Sequence, residues 1–425
     1  MAGKIDVILN EVFEKINPSE NELKVINENL LDFMDKIKKR IKKFKIDCDV
    51  FVGGSFPKRT IIKKDFYDVD LFLRYGKRYS EKDYPKLSRK ILGFTKGIIV
   101  IHGSRDYFKV KVSPTVFFEV VPVKRIKNPK EALNITDLSY FHVNYIKKKI
   151  KLKKVLEGVR FAKAFCHASK TYGAESYVKG FSGYSLELLI YYFKSFENFL
   201  KILSKKRSEK LIIDIEKQYK KENVLFDMNG SKLDSPVILV DPTYKARNVL
   251  AALSYETYER FRESAASFLK KPSKEFFEYK KIDFNKSKSG AEKKGLEFLK
   301  IRIKTKKERG DIAGTKLLKF FNHMAKELEK YFEIRYKDFE YSGGKAGEGY
   351  FTLKSRREIE FRGPFVKDKK NLIKFKKEHT KTYEKKGRVY AFEKIDFSPG
   401  EFLGKWVEKN KKKIKEMSIN GVEGG

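Results

Sequence analysis

The sequence predicts an α+β protein of several domains, and three observations predict it. Near the N-terminus apolar residues alternate with polar ones in short runs, the period of half-buried strands. In the middle they recur every three to four residues, the period of amphipathic helices, and beyond about residue 295 the two patterns interleave. The 425 residues suffice for two to four units that each bury a core. Hydrophobic residues make up 41%, with 36 Phe and 23 Tyr, so the many lysines decorate folded units rather than a disordered tail.

Ser19 and Glu22 form a capping box, and Leu23, Ile26, Leu30, Met34, Ile37, Ile41 and Phe44 follow at helical spacing, so a long amphipathic helix comes first. Ile46, Cys48, Val50 and Val52 alternate with Lys45, Asp47 and Asp49, a strand that Gly53-Gly54-Ser55 ends. Further strands are expected at Val69 to Leu73, Lys109 to Val112 and Phe117 to Val123. From about Phe141 the pattern is helical, with Leu186, Leu189, Ile190, Phe193, Phe196 and Leu200 on one face of one helix. Pro272 and the Lys/Ser/Gly-rich stretch from Asn285 to Gly295 read as a linker or loop.

Leu299, Ile301 and Ile303 then alternate with basic residues, and Leu317, Phe320, Met324, Leu328 and Tyr331 have helical spacing. Two strands flank Gly343-Gly344, a charged helix covers Asp368 to Glu378, and a last strand runs from Arg388 to Phe397. That order, β-α-β-β-α-β, is the ferredoxin-like or split βαβ unit, placed at about 296–397 with a helical tail at about 398–425. RNA-recognition domains share the order, although it hosts many functions.

Lys plus Arg number 96 against 57 acidic residues, a net charge of +39 that attracts a polyanion, with nucleic acid the first candidate. Lys409, Lys411, Lys412, Lys413 and Lys415 read equally as a polyanion-facing helix and as a solvated face. With only Cys48 and Cys166, and no secretory leader pattern, a reducing cytoplasm is expected. No apolar run approaches the roughly 20 residues of a membrane span, so no membrane partner is expected. The two Cys and five His never cluster at zinc-ligand spacing.

The sharpest chemical signal is Gly53-Gly54-Ser55 after a strand, then Lys58, Thr60 and Asp68-Val69-Asp70. Strand alternation points Asp68 and Asp70 to one face, where two carboxylates call for a divalent cation. The Gly-Gly-Ser turn offers backbone N–H groups and a hydroxyl to a triphosphate. Glu119, within Phe117-Phe118-Glu119-Val120-Val121-Pro122, is the candidate third carboxylate from a neighbouring strand. Together the three would bind two magnesium ions, which orient a 3′-hydroxyl, lower its pKa and stabilise leaving pyrophosphate. A bare Asp-x-Asp is more often a surface pair, here with Lys63 and Lys64; the turn and Glu119 favour the catalytic reading. Asp65 is a lesser candidate, off the same-face pair.

These residues resemble the signature of the nucleotidyltransferase superfamily that includes poly(A) polymerases, oligoadenylate synthetases and class I CCA-adding enzymes. Later segments resemble the archaeal class I CCA-adding family: Thr136 to His142; Lys163; Tyr172-Gly173-Ala174-Glu175; Gly180 to Tyr184; Glu187-Leu188-Leu189; Asp241-Pro242; Arg247-Asn248-Val249; Ala251 to Ser254; Arg362-Gly363-Pro364; and Gly387-Arg388 with Ala391-Phe392-Glu393.

The resemblance implies a polymerase-beta-like catalytic domain at 1–142, an α-helical central domain at 143–260 and a C-terminal RNA-binding region at 261–425. It implies transfer from CTP and ATP to the 3′ end of tRNA without a template, with the acceptor stem and T-arm held by the C-terminal region. Asp68, Asp70 and Glu119 fall on its metal ligands. Gly54, Ser55, Lys58, Lys163 and Tyr172 fall on the triphosphate site, His142 near the nucleotide, and Arg247 with Asn248 on the base-reading segment. Glu119 replaces the more usual Asp, Leu138 the usual Arg and Tyr140 the usual Pro, with Lys124 or Arg125 the candidates to supply the missing cation. A poly(A) polymerase-like transferase and a catalytically degenerate RNA-binding protein are the alternatives, and a homodimer is left open.

Overall fold

The computed structural model describes residues 2–102, 105–219, 223–307, 309–356, 358–379 and 381–425. Its first elements are α1 (Ala2–Ile16) and α2 (Glu20–Lys43). Ser19 Oγ accepts from the Glu22 N–H while the Glu22 carboxylate accepts from the Ser19 N–H, the reciprocal cap the sequence predicts. The buried stripe of α2, Ile26, Leu30, Phe33 and Ile37, shares a core with a five-stranded sheet. The spatial order of that sheet is β1 (Cys48–Val52), β2 (Tyr67–Tyr75), β5 (Val116–Lys124), β4 (Tyr107–Lys111) and β3 (Ile99–Ile101).

β2 and β5 run parallel and the other neighbours antiparallel. The helix α3 (Tyr84–Leu92) adds Tyr84, Ile91 and Leu92 to the same core. Val69, Leu71 and Leu73 point into it, so the period of two leaves Asp68 and Asp70 on the opposite face.

A second core is helical. It takes residues of α1, α4 (Ser139–Lys149), α5 (Lys153–Ala168), α6 (Gly183–Phe193), α7 (Phe196–Leu203) and α9 (Tyr255–Lys270), with β6 (Leu211–Ile213), α8 (Val224–Asp227), β7 (Val237–Asp241) and β8 (Tyr244–Asn248) between α7 and α9. Phe165, Phe181, Phe199, Phe261 and Phe268 are fully buried there and meet at angles, as in Phe181 against Phe261 at 4.9 Å. The one helix expected across Leu186 to Leu200 is two. Lys194 takes a left-handed φ of 70° and Ser195 accepts from the Asn198 N–H to start α7. Periodicity misses this break because both helices bury their apolar faces in the same core.

Phe261, Ala265, Phe268 and Phe277 all belong to the helical core. The compact units are accordingly Met1–Lys280 and Lys281–Gly425, a division some twenty residues beyond the expected 260.

The second unit opens with α10 (Phe284–Glu292), where a loop is expected from the Lys/Ser/Gly composition. Asp283 caps it by accepting from the Lys286 N–H, and Ala291 is buried, so capping and one anchor outweigh weak propensity. There follow β9 (Glu297–Thr305), α11 (Asp311–Leu328), β10 (Phe332–Tyr341), β11 (Ala346–Ser355), β12 (Glu358–Phe365), α12 (Lys369–Glu378), β13 (Thr382–Lys385), β14 (Arg388–Lys394), α13 (Pro399–Lys409), α14 (Lys411–Glu416) and β15 (Ile419–Gly424).

One antiparallel sheet has the order β10-β11-β9-β15, the ferredoxin-like arrangement. Its second helix is α13 and its fourth strand β15, both placed in the helical tail by sequence pattern. The expected fifth and sixth elements, α12 and β14, instead belong to a separate sheet, β12-β14-β13, inserted between β11 and α13. Leu403, Trp406 and Ile419 pack with Leu299, Ile301 and Ile303, which fixes the assignment. Among the described residues no helix is long and apolar enough to cross a membrane.

Candidate active site

The turn that leaves β1 is built on two glycines. Val52 pairs with Leu71 of β2, and the Gly53 N–H then donates to the Asp70 carbonyl at 2.8 Å. Gly54 has φ of 65°, and a Cβ there would stand 1.7 Å from Asp70 Oδ2. No other residue allows the backbone so near that carboxylate. The Thr60 N–H donates to the Ser55 carbonyl at 3.1 Å and closes the loop.

In the parallel register of β2 with β5, Asp70 is the direct partner of Glu119, and Asp68 is two residues back on the same face. On the other side of β5, Lys109 of β4 is the partner of Glu119. Lys109 Nζ lies 2.6 Å from Asp68 Oδ1 and 3.0 Å from Glu119 Oε1. Burial, then the neighbouring Glu119 charge, pushes the Asp70 carboxyl up to about 7. Burial raises Glu119 as well, in spite of Lys109. Burial alone would lower the Lys109 ammonium, but its bonds to Asp68 and Glu119 hold it above the usual range.

Three hard oxygen donors thus share one face, with Lys109 tethered between Asp68 and Glu119 and the charge of Lys58 offsetting only part of what burial and Glu119 do at Asp70. That donor set fits a divalent cation. It is not closed into a coordination shell: among the described residues no three His, Cys, Asp or Glu side chains converge closely enough to hold a metal ion.

Behind the turn is a buried network centred on Glu187 of α6. Lys58 Nζ lies 2.6 Å from Glu187 Oε2, and Thr60 Oγ1 donates to Glu187 Oε1 at 2.7 Å. Lys163 Nζ donates to the Thr60 carbonyl at 2.8 Å and lies 3.5 Å from Glu187. Burial works to raise the Glu187 carboxyl, but Lys58 and Lys163 hold it below its ordinary value. Burial brings Lys163 down to about 8 against the pull of Glu187. Lys58, expected at the nucleotide, is therefore engaged with Glu187, although its charge still bears on Asp70. Ser55, Asp68, Lys163 and Tyr172 line one small cavity together with Lys64 and His167.

A second cluster gathers round Asp241, at the end of β7. His142 Nε2 lies 3.0 Å and an Arg247 guanidinium nitrogen 2.6 Å from Asp241 Oδ2, and the Tyr184 hydroxyl donates to Oδ1 at 3.2 Å. The His142 ring stacks on Tyr184 at 4.1 Å. Burial would raise the Asp241 carboxyl, yet His142, Arg247 and the Thr243 N–H hold it well below the usual carboxylate range. Burial lowers His142 despite that carboxylate. Arg247 is thus oriented by an anion.

Asn248 has a structural role. Its Oδ1 accepts from the N–H groups of Leu239 and Leu250, and its Nδ2 donates to the Lys232 carbonyl. Leu138 is buried, and Arg125, a candidate to replace the missing arginine, is paired with Asp47 and Asp49. Lys124 Nζ donates to the Glu131 carbonyl. The cation over Tyr140 is Arg74, 3.8 Å from its ring centre.

Lys109, Glu187, Asp241, Tyr184 and His167 are the parts whose roles sequence reasoning missed. Lys109 lies on the side of β4 opposite buried Phe108 and Val110, so strand alternation puts it on the carboxylate face, but its partners come from other strands.

The fold is that of the polymerase-beta-like nucleotidyltransferases, and a face of carboxylates lies beside its Gly-Gly-Ser turn. A solved cytoplasmic RNA terminal U-transferase has the same fold, with a TM-score of 0.50 and 14% identity over 66% of this chain and 100% of that one. Residues 157–278 match the family model for the tRNA nucleotidyltransferase second domain. The CCA-adding enzyme of Nanoarchaeum equitans is 32% identical over 356 residues, 82% of this chain and 85% of that protein. That of Methanocaldococcus jannaschii is 32% identical over 284 residues, 64% of this chain and 61% of its own length. The chain belongs to the CCA-adding enzyme family.

Proposed function

We propose that the protein adds or repairs the 3′-terminal CCA of tRNA from CTP and ATP, without a nucleic-acid template, in the cytoplasm. Family membership, over most of both chains for the Nanoarchaeum relative, carries the reading. The reaction is in-line attack of the tRNA 3′-hydroxyl on the α-phosphate with release of pyrophosphate. Asp68, Asp70 and Glu119 would hold magnesium, which when bound would acidify the hydroxyl and offset charge on the leaving group.

The chain's own residues do the rest. Ser55, Lys163 and Tyr172 hold the triphosphate, with the Gly53-Gly54 backbone close against it. Glu187 fixes the loop between Ser55 and Thr60 through Lys58 and Thr60, so the turn keeps its place on Asp70. Arg247, braced by Asp241, offers directed donors to the base beside the stacked pair of His142 and Tyr184.

The second unit is suited to RNA. One face of its inserted sheet packs against α12, as Phe361 and Phe375 do around His379. On the other, Tyr383 stacks on Phe392 at 5.1 Å and on Tyr390 at 5.5 Å. Phe392 is 47% exposed, and Arg362 and Lys394 flank this side by strand alternation. Bases or an end pair stack on such a surface while cations meet phosphates. We assign it and the C-terminal lysines to the acceptor stem and T-arm.

The test is incorporation of each labelled nucleoside triphosphate, with magnesium, into tRNA transcripts ending before CCA, after C and after CC. Ordered addition of C, C and A that then stops is expected; AMP alone on any RNA would instead indicate a poly(A) polymerase. Asp70→Asn is expected to abolish transfer and leave tRNA affinity within about twofold, since a gel-shift assay reads contacts that this side chain does not make.

A further inference from the structure

His167 stands one turn beyond Lys163 on α5, so the two side chains share a helix face. Its ring stacks on Tyr172, with centres 4.0 Å apart. Nε2 is buried and, among the described residues, has no hydrogen-bond partner. Buried polar atoms without a partner are rare in folded proteins and call for an explanation.

The cavity that His167 lines supplies one. Ser55, Thr60, Lys64, Tyr67, Asp68, Lys163 and Tyr172 form its other polar walls. Its volume of about 50 Å³ is far too small for a nucleoside, which needs a pocket of several times that size. Gly183 leaves the room: a Cβ there would meet the Tyr172 hydroxyl at 3.0 Å and stand 3.9 Å from Lys163 Nζ. The Thr60 and Tyr67 hydroxyls are engaged with Glu187 and Glu22, which leaves two lysines, the hydroxyls of Ser55 and Tyr172 and one unpartnered ring nitrogen against the single Asp68 carboxylate, a set that matches a phosphate group. Burial and the two lysines lower the ring to about 4, so it is neutral and able to donate from Nε2.

We propose that His167 is a further substrate-binding residue, whose Nε2–H donates to a non-reacting phosphate oxygen in the pyrophosphate half of bound CTP or ATP. The proposal rests on the nucleotide site described under Proposed function. It concerns the part that both nucleotides share, so His167 contributes affinity and not choice between them.

The probe is inorganic tripolyphosphate, which has this half and no base. With the full-length protein, His167→Ala is expected to weaken tripolyphosphate binding roughly tenfold, the effect of one hydrogen bond to a charged group. KM for CTP and for ATP should rise by the same factor with kcat within about twofold, the pattern of an interaction made equally in ground and transition states. His167→Asn, which keeps a donor, should restore part of the loss.

Selective ¹⁵N labelling of histidine provides a second measurement in the parent protein, in which the His167 Nε2 signal should move on adding tripolyphosphate. Unchanged tripolyphosphate affinity and KM in a folded His167→Ala protein, or an unmoved Nε2 signal at saturation, overturns the proposal alone. If the parent binds no tripolyphosphate in competition with CTP, the nucleotide site itself is misplaced and both readings fall.

Discussion

Asp70 sits at the point where the turn, the sheet and the proposed cation meet, and its ionisation sets a pH dependence that can be worked out. Its ordinary value is 3.8, and burial followed by the Glu119 charge pushes it to about 7 in the folded chain. A carboxyl raised on folding binds its proton more tightly in the folded state. Its contribution to stability is therefore complete below about pH 4 and is lost as pH rises through about 7. The metal-free protein should lose on the order of 1–3 kcal/mol between pH 4 and 8 from this group. Urea titrations in chelator should show the decline in the parent and a flatter profile in Asp70→Asn. Equal pH slopes in the two proteins would show that Asp70 is not perturbed in this way. The same linkage makes cation binding weaken below about pH 7, where proton and cation compete for one carboxylate. Lys109 is bonded to Asp68 and Glu119, whereas Asp70 is raised chiefly by its burial and is relieved in part by the charge of Lys58.

The turn between β1 and β2 carries the element-scale prediction. Gly54→Ala must place a methyl group where Asp70 Oδ2 now stands and force a side-chain-bearing residue to φ of 65°. The loop has to withdraw from the sheet, and a displacement of about 1 Å at a reacting centre lowers turnover roughly hundredfold. Single-turnover CMP incorporation with tRNA affinity unchanged would record it; near-parental rates would mean that the close approach is dispensable. The turn was legible because glycine, strand period and paired acids are local signals. That period puts Asp68 and Asp70 on one face, but the register that sets Asp70 beside Glu119 is a pairing between distant strands that it does not fix. Glu187 and Asp241 were not legible as site residues, since their partners lie 129 and 99 positions away in Lys58 and His142. In the second unit the local pattern misled. Residues 368–397 repeat the helix-then-strand rhythm of the elements that really complete the sheet, and only burial of Leu403, Trp406 and Ile419 with β9 separates the two.

Over the whole chain the net charge of +39 makes an expectation that no single residue does. If the lysines face RNA phosphates, tRNA affinity should fall about a thousandfold between 50 and 200 mM salt, as counterion release requires for some six phosphate contacts. A fall of less than about tenfold, read by filter binding, would assign most of that charge to a solvated surface. The β10-β11-β9-β15 sheet has a separate consequence, for the time it takes to form. Thr305 Oγ1 donates to the Ser418 carbonyl across 113 positions of chain, whereas β10 and β11 are joined by a short turn. Closing so long a loop is entropically expensive and slow, so the hairpin should gain exchange protection first and β9 acquire its last neighbour late. During that interval β9 presents an open row of amides and carbonyls to any other unfinished copy in solution. Refolding yield should therefore fall as protein concentration rises, and the vulnerable moment belongs to assembly of this sheet, long before any nucleotide is bound.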